Sequence, residues 1–389
     1  MPQSTKTDQN LPPLHTYTIA YITALPKEQT AVLATLDTIH HQHIPTPASD
    51  KNTYTLGSIP PHNIVLTCLP TMGTTSTASA VTSLLHMFPS IRFVLLVGVA
   101  GGIPSNGVRL GDVVVSVPVS GGYGGVVGWD RGMLVGDGRV VVQNGGGFGR
   151  RSEAGVGPAV KSVIDGLKHD GDNLVKMRIK ECLDDVEGRF PRLVPRWTRC
   201  DGLRDPLLGR WWVFSDSCLC LVGWVLWKVV VAGVIGLLGL WGLRMVDFGF
   251  GREMWKEKVM RTEKKERNVR VHYGLIASGN FVVKDARARD ALGKEFEEDI
   301  LCVEMEAAGV VDLVPCIVVR GICDYADSQK NKDWQEYAAM VAAAYARILL
   351  ESLSPGDGDM IADAQDILGD NHEVGYPNDP VVLDLGIRL

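Results

Sequence analysis

Two apolar runs decide the fold of this chain: RFVLLVGVAGG at residues 92–102 and PCIVVRGICDYAD at residues 315–327. Each run is continuous in its apolar residues, a pattern that is typical of strands covered on both faces of a sheet. Each run then ends in glycines or polar residues, where a buried strand gives way to a loop. We therefore predict two central strands of one sheet, the second of which closes at Asp324.

Outward from these runs, strand patterns alternate with helix patterns. Residues 17–24 are rich in β-branched and aromatic side chains, and Pro26 precedes a helical pattern at residues 28–36. Further strands are predicted at residues 53–56, 63–68, 113–119, 272–277 and 300–303. Further helices are predicted at residues 75–88, 157–167, 285–296, 306–313 and 334–353. This alternation predicts an α/β fold, with a three-layer α/β/α sandwich around a mixed sheet.

The composition excludes several classes of protein. The formal net charge is -6, which argues against a nucleic-acid partner. The eight cysteines show no zinc-ligand spacing, so neither a metal nor a cofactor is expected. The first 15 residues are a polar lead-in without the apolar stretch of a signal peptide, which predicts a cytoplasmic or nuclear protein.

Residues 187–270 depart from this pattern and are interpreted as an insertion. Within them, residues 217–243 carry Lys228 as their only charge and are long enough to span a bilayer. A span there would place Glu28 and Asp324 on opposite sides of a membrane, which one sheet cannot accommodate. A membrane location is thus expected only if residues 217–243 are a genuine span. The alternatives are an extruded insertion and a translated intron, of which we favour the intron.

The remaining boundaries follow from composition. Residues 16–353 form one predicted domain, interrupted by the insertion. Residues 354–389 are acidic and punctuated by glycine and proline, which indicates a tail or linker. The apolar character of residues 334–353 predicts burial of that helix against the sheet or against a second subunit, and hence a homo-oligomer.

Polar and glycine residues gather at the predicted strand ends, where open α/β sheets bind their ligands. Three carboxylates, Glu28, Glu306 and Asp324, are the main candidates. The other candidates are Gly101, Gly102, Ser278, Asn280, Phe281 and Met305. We therefore predict a site for a polar ligand, although glycines alone also mark tight turns.

Five segments carry a resemblance to a known family: LVGVAGGIP (96–104), LGDVVVS (110–116), GLIASGN (274–280), VEMEA (303–307) and RGICDYAD (320–327). They resemble the purine nucleoside and uridine phosphorylase superfamily. Within it, the chain is most similar to methylthioadenosine/S-adenosylhomocysteine nucleosidases. It also looks like the nucleoside phosphorylase-like domains of fungal proteins with NACHT, ankyrin or tetratricopeptide modules. The resemblance covers residues 17–119 and 271–353.

This resemblance implies cleavage of the N-glycosidic bond of a nucleoside, with a purine as the expected base. Asp324 matches the acid that protonates the leaving base, and such proton donation lowers the cost of its departure. Glu306 matches the residue that holds the ribose hydroxyls, and Met305 would lie under the sugar. Asn280 and Phe281 match positions that contact the base. Each of these residues also has a structural reading, as a helix cap, a first-turn carboxylate or a core side chain.

Three positions bear on the choice between hydrolysis and phosphorolysis. Glu28 matches the nucleosidase glutamate that helps to activate water. Leu96 and Val99 stand where many phosphorylases carry the Arg and Ser that hold phosphate. The resemblance thus favours a hydrolase over a phosphate-dependent glycosyltransferase, with phosphate as a second ligand only in the latter case. The alternative function is a non-catalytic, nucleoside-sensing or regulatory module.

Overall fold

The computed structural model describes residues 11–42, 44–119, 124–130, 132–134, 140–142, 157–169, 171–193, 197, 205, 269–294, 299–354 and 381–383. By contacts, the chain divides into two units, Met1–Arg199 with Val269–Leu389, and Cys200–Asn268. Almost all described residues belong to the first unit. The apolar run at residues 217–243 lies outside the described residues.

The described elements alternate along the chain as an α/β fold requires. The helices are α1 (Pro26–Thr35), α2 (Thr74–Met87), α3 (Gly157–His169), α4 (Gly171–Arg189), α5 (Ala286–Leu292) and α6 (Gln335–Glu351). The first strands are β1 (Tyr17–Thr23), β2 (Thr38–His40), β3 (Tyr54–Ile59), β4 (His62–Cys68), β5 (Phe93–Gly102), β6 (Val113–Ser116) and β7 (Val126–Gly128). The others are β8 (Gly132–Leu134), β9 (Val140–Val142), β10 (Val271–Ser278), β11 (Ile300–Glu304), β12 (Cys316–Asp324) and β13 (Val381–Leu383).

One mixed sheet forms the centre of the domain, in the order β11-β10-β6-β12-β5-β1-β4-β3-β2. Strands β5 and β12 run parallel at its middle, and every side chain of β12 is buried. The two apolar runs therefore form the central strands, as predicted. Helices flank this sheet, which confirms the predicted α/β fold.

The sheet closes on itself, which the sequence does not reveal. Strand β6 is antiparallel to β12 but parallel to β10, so β10 and β11 do not share the direction of β12. The end of β5 pairs with β11 instead, with Gly101 opposite Val303 and Gly102 opposite Cys302. It is this closing pair, and not a common strand direction, that brings the end of β11 beside the ends of β5 and β12.

Helices α1, α4 and α6 contact one another, and α6 also packs on β5 and β12. Arginines from α4 and α6 hold the end of α1. Arg189 donates to the carbonyls of Leu36 at 2.9 Å and Ala34 at 2.8 Å, and Arg347 donates to that of Thr35. These carbonyls have no partner within their own helix, so the arginines satisfy acceptors that would otherwise be orphaned.

A predicted helix and part of the predicted tail differ from the structure. The predicted helix at residues 306–313 is wrong, since only Ala307–Gly309 form a 3-10 turn. Val310 donates to Ala307 in the tighter i→i−3 pattern, and β-branched residues there disfavour a regular α-helix. Within the predicted tail, Val381–Leu383 form β13, which pairs with β9. Among the described residues, no helix is long and apolar enough to cross a membrane.

Candidate active site

A buried arginine organises the carboxylates of the site. Arg320 lies on β12 opposite Gly98 of β5 and is 1 % exposed. Its guanidinium donates to Glu304 and, at 3.3 Å, to Glu306. Glu304 in turn accepts from the backbone N–H groups of Glu306 at 3.0 Å and Ala307 at 3.1 Å. One cation thus fixes the turn that carries Glu306.

Glu28 joins this cluster from the first turn of α1. Its Oε2 accepts from the backbone of Ala24 and Leu25, both at 2.8 Å, and its Oε1 accepts from Val99 at 2.8 Å. Burial raises the pKa of this carboxyl, while Arg320 and the three backbone donors oppose the rise. Glu28 therefore caps α1, ties it to β5, and still faces the buried charge of Arg320.

Glu306 is a buried carboxyl of the cluster whose pKa lies well above its ordinary value. Burial, opposed by the attraction of Arg320 and assisted by the neighbouring Glu304 and Glu28, raises the pKa of Glu306 to about 7. The backbone N–H of Gly73, which precedes α2, donates to Glu306 Oε1 at 3.3 Å. The cluster thus places a carboxyl that exchanges its proton near neutral pH at the junction of α2, β11 and β12.

Asp324 ends β12 opposite Gly101 and is 5 % exposed. Its Oδ1 accepts from the backbone N–H of Ala326 at 2.9 Å. Its Oδ2 accepts from the thiol of Cys323 at 3.1 Å and lies 3.3 Å from the ammonium nitrogen of Lys330. Burial raises the pKa of the Cys323 thiol well above its ordinary value, so that group stays a donor. Both oxygens of Asp324 are held in fixed directions.

Two glycines of β5 leave room for these side chains. A Cβ at Gly98 would lie 2.7 Å from Glu28 Oε1 and would collide with the guanidinium of Arg320. A Cβ at Gly101 would lie 2.9 Å from Asp324 Oδ1. Gly101 is therefore a spacer beside the candidate acid. Gly102 is buried next to Ile322.

Ser278 and Asn280 position backbone around the site. Ser278 is fully buried, and its Oγ accepts from the backbone N–H of Ala308 at 2.8 Å. Asn280 Oδ1 accepts from the Thr74 backbone N–H at 3.1 Å and hydroxyl at 3.0 Å, at the start of α2. Asn280 Nδ2 donates to Asp130 at 3.1 Å. The predicted contacts of Ser278 and Asn280 with a ligand stay predictions.

The apolar candidates lie beside this framework. Phe281 is 64 % exposed, and its ring centroid lies 5.9 Å from that of Trp129. Met305 stands between Glu304 and Glu306 in the chain, and its side chain is half-buried. Phe281 is therefore not a core residue, and its side chain is accessible to a ligand.

Sequence reasoning missed Arg320 and Lys330. Arg320 could have been recognised from the sequence, because a lone cation inside a strand covered on both faces must find buried partners. Lys330 could not have been recognised in this way, since it stands in a polar loop where solvated lysines are common. Among the described residues, no group of histidine, cysteine and carboxylate side chains is arranged to hold a metal ion.

The protein is thus an α/β protein whose sheet closes through the pairing of β5 with β11. A buried cluster of carboxylates and one arginine lies at the ends of β5, β11 and β12. The sequence matches the phosphorylase superfamily at residues 18–126 and 253–354, and the chain belongs to that superfamily.

The chain is also similar to individual proteins. The chain is 39% identical over 348 residues to a nucleotide-binding leucine-rich repeat-like protein of Hyaloscypha variabilis, covering 87% of this chain and 30% of the relative. It is 29% identical over 102 residues to a 5'-methylthioadenosine/S-adenosylhomocysteine nucleosidase of Bacillus cereus, covering 25% of this chain and 42% of the relative. It is 36% identical over 86 residues to a death domain-containing ATP nucleosidase of Amphimedon queenslandica, covering 20% of this chain and 16% of the relative. In each case the chain spans less than half the relative's length.

Proposed function

We propose that this chain hydrolyses the N-glycosidic bond of a purine nucleoside or nucleotide. The observation that carries the proposal is a buried acid, Asp324, at the end of the strand that carries Arg320, whose guanidinium pairs with Glu304 and Glu306. Two of the relatives above are named as nucleosidases.

Asp324 is the general acid of the proposed reaction. As the bond between ribose and base breaks, its electron pair moves onto the base, and a proton from Asp324 neutralises that charge. The Asp324 oxygens are held by Ala326, Cys323 and Lys330, so the carboxyl is oriented before the ligand arrives.

Glu306 holds the ribose hydroxyls in this proposal. A carboxylate there accepts from the diol and offsets the positive charge that the sugar gains in the transition state. Its pKa of about 7 leaves a substantial ionised fraction at neutral pH. Met305 would lie under the sugar, and the exposed ring of Phe281 would contact the base.

Glu28 receives the proton of the attacking water. Burial raises its pKa, which makes it a stronger base than an ordinary carboxylate. Arg320 Nε is buried, and no described residue accepts a hydrogen bond from it, so in this proposal it donates to the attacking water. The hydroxyl of this water ends on the sugar, and the base leaves protonated.

The charges of the site favour water over phosphate. Arg320, the buried cation of the cluster, is already paired with Glu304 and Glu306. Leu96 and Val99 offer no charge to a phosphate dianion. Phosphate would therefore meet excess negative charge, which disfavours phosphorolysis.

The test is base release from adenosine, inosine, guanosine, uridine, methylthioadenosine and ATP by the purified chain, with and without phosphate. Release without phosphate is expected for a purine substrate. Asp324→Asn should keep the fold and lower turnover by about 100- to 10,000-fold. The control Asp333→Asn changes an exposed loop residue and should have no effect. Strict dependence on phosphate, or an unchanged rate in Asp324→Asn, would contradict the proposal.

A second candidate function is a nucleoside-sensing module. It is favoured by the Hyaloscypha variabilis relative, because the aligned part is only 30% of that protein. Calorimetric binding of a nucleoside without any base release would support the sensor. Base release at many turnovers per chain would argue against it.

A further inference from the structure

Lys330 contacts the candidate acid directly, although it stands six positions beyond it in the chain. Its ammonium nitrogen lies 3.3 Å from Asp324 Oδ2, and the two side chains are 27% and 4% exposed. Most exposed ion pairs contribute little because water screens both charges. Here the carboxylate is buried, and a buried carboxylate needs a partner.

The loop that carries Lys330 is held by its own hydrogen bonds. The backbone N–H of Lys330 donates to the carbonyl of Asp327 at 3.1 Å, and the side chain of Asp327 accepts from Gln329 at 2.9 Å. Arg289 donates to the carbonyl of Tyr325 at 2.7 Å and anchors the start of the same loop. An ordered turn therefore delivers the ammonium to Asp324.

We propose that Lys330 is a positioning residue for Asp324, which rests on the proposed function. The ammonium fixes Oδ2 while the Ala326 backbone fixes Oδ1, so the carboxyl cannot rotate away from the base. When the O–H bond of Asp324 breaks and the proton joins the leaving base, a full carboxylate forms beside the ammonium. The ammonium stabilises the negative charge that develops on the carboxyl as the proton leaves, so its effect falls on the chemical step.

The experiment compares three variants with the wild-type chain on its best substrate. Lys330→Met keeps the length of the side chain and removes its charge, whereas Lys330→Arg keeps the charge. Lys332→Met is the matched control, because Lys332 is an exposed lysine of the same loop. We expect Lys330→Met to lower kcat on the order of tenfold with KM nearly unchanged, Lys330→Arg to restore much of kcat, and Lys332→Met to match the wild type.

A double-variant cycle separates action through Asp324 from general damage to the fold. In an Asp324→Asn background, Lys330→Met should cause no further loss, because the carboxylate that it stabilises is gone. Unfolding midpoints by circular dichroism show whether each variant is folded. An unchanged kcat in Lys330→Met, no rescue by arginine, or a further tenfold loss in the double variant would overturn the proposal for Lys330 alone. A wild-type chain without turnover on any substrate would overturn the proposed function as well.

Discussion

Replacing Glu306 by glutamine should change how the stability of the protein depends on pH. The Glu306 side chain is buried with Glu304 and Glu28 around a single Arg320. Ionising it in the folded protein therefore adds a negative charge to a cluster that already has more carboxylates than cations. Glutamine has nearly the same shape but never ionises, and Arg320 keeps Glu304 as a partner.

The magnitude follows from the pKa of Glu306, which is about 7 in the folded protein against an ordinary value of 4.5. The folded state thus binds this proton more tightly than the unfolded state does. The contribution of Glu306 to the free energy of unfolding is therefore fully present below pH 4.5 and is lost as the pH rises toward 7. At about 1.4 kcal/mol per pH unit, the wild type loses on the order of 3 kcal/mol that the glutamine variant keeps.

Urea unfolding followed by circular dichroism between pH 4.5 and 7.5 measures this difference. Glu306→Gln and wild type should be similarly stable at the acid end, and the variant should become the more stable of the two as the pH rises. Glu181→Gln, at an exposed position of α4, should leave the pH dependence unchanged. A stability difference that stays constant with pH, or a variant that is less stable at the upper end, would refute the account of the cluster.

Two further predictions concern the packing around the site and the end of α1. Gly98→Ala should destabilise the fold by about 1–3 kcal/mol in thermal unfolding and impair turnover, because its Cβ would collide with Arg320 and Glu28. The control is Gly166→Ala in α3, where an added Cβ meets nothing within 4 Å. This control should stabilise the fold by about 1 kcal/mol in the same assay. Arg189→Ala should lower the free energy of unfolding by about 1–3 kcal/mol, because two carbonyls at the end of α1 lose their donor. Arg192 is an exposed neighbour, and Arg192→Ala should have almost no effect. Equal losses of stability in the two variants would contradict the capping role of Arg189.

The sequence predicted the elements better than it predicted how they meet. The apolar runs gave β5 and β12 because burial on both faces leaves a continuous signature. The short run of β6 carries no information about its direction, and its reversal relative to β12 decides how β10 and β11 lie. The glycines at 101 and 102 were interpreted as a loop, whereas they extend β5 to its closing pair with β11.

The same limit applies to the candidate site. The three predicted carboxylates could be named because each follows an apolar run, but their shared partner Arg320 sits inside such a run. The ion pair between Arg320 and Glu304 forms only if β11 lies close to β12 in the fold. The closing pair of β5 with β11 brings these strands together, and the sequence does not show that pair. Hydrogen bonds from Asn280 to α2 depend in the same way on the meeting of distant segments.

Contacts at the two ends of the predicted insertion limit where a deletion could be made. Helix α4 continues to Arg189, which caps α1, and Val186 of the same helix is 2% exposed. On the other side, the carbonyl of Arg270 accepts from Val113 at 2.8 Å, immediately before β10 begins. A deletion that joined Lys180 directly to Val271 would therefore remove the end of α4 and leave the carbonyls of α1 without their arginine. We therefore expect a deletion that begins after Arg189 and ends before Arg270 to retain the fold, and one that begins after Lys180 to lose it.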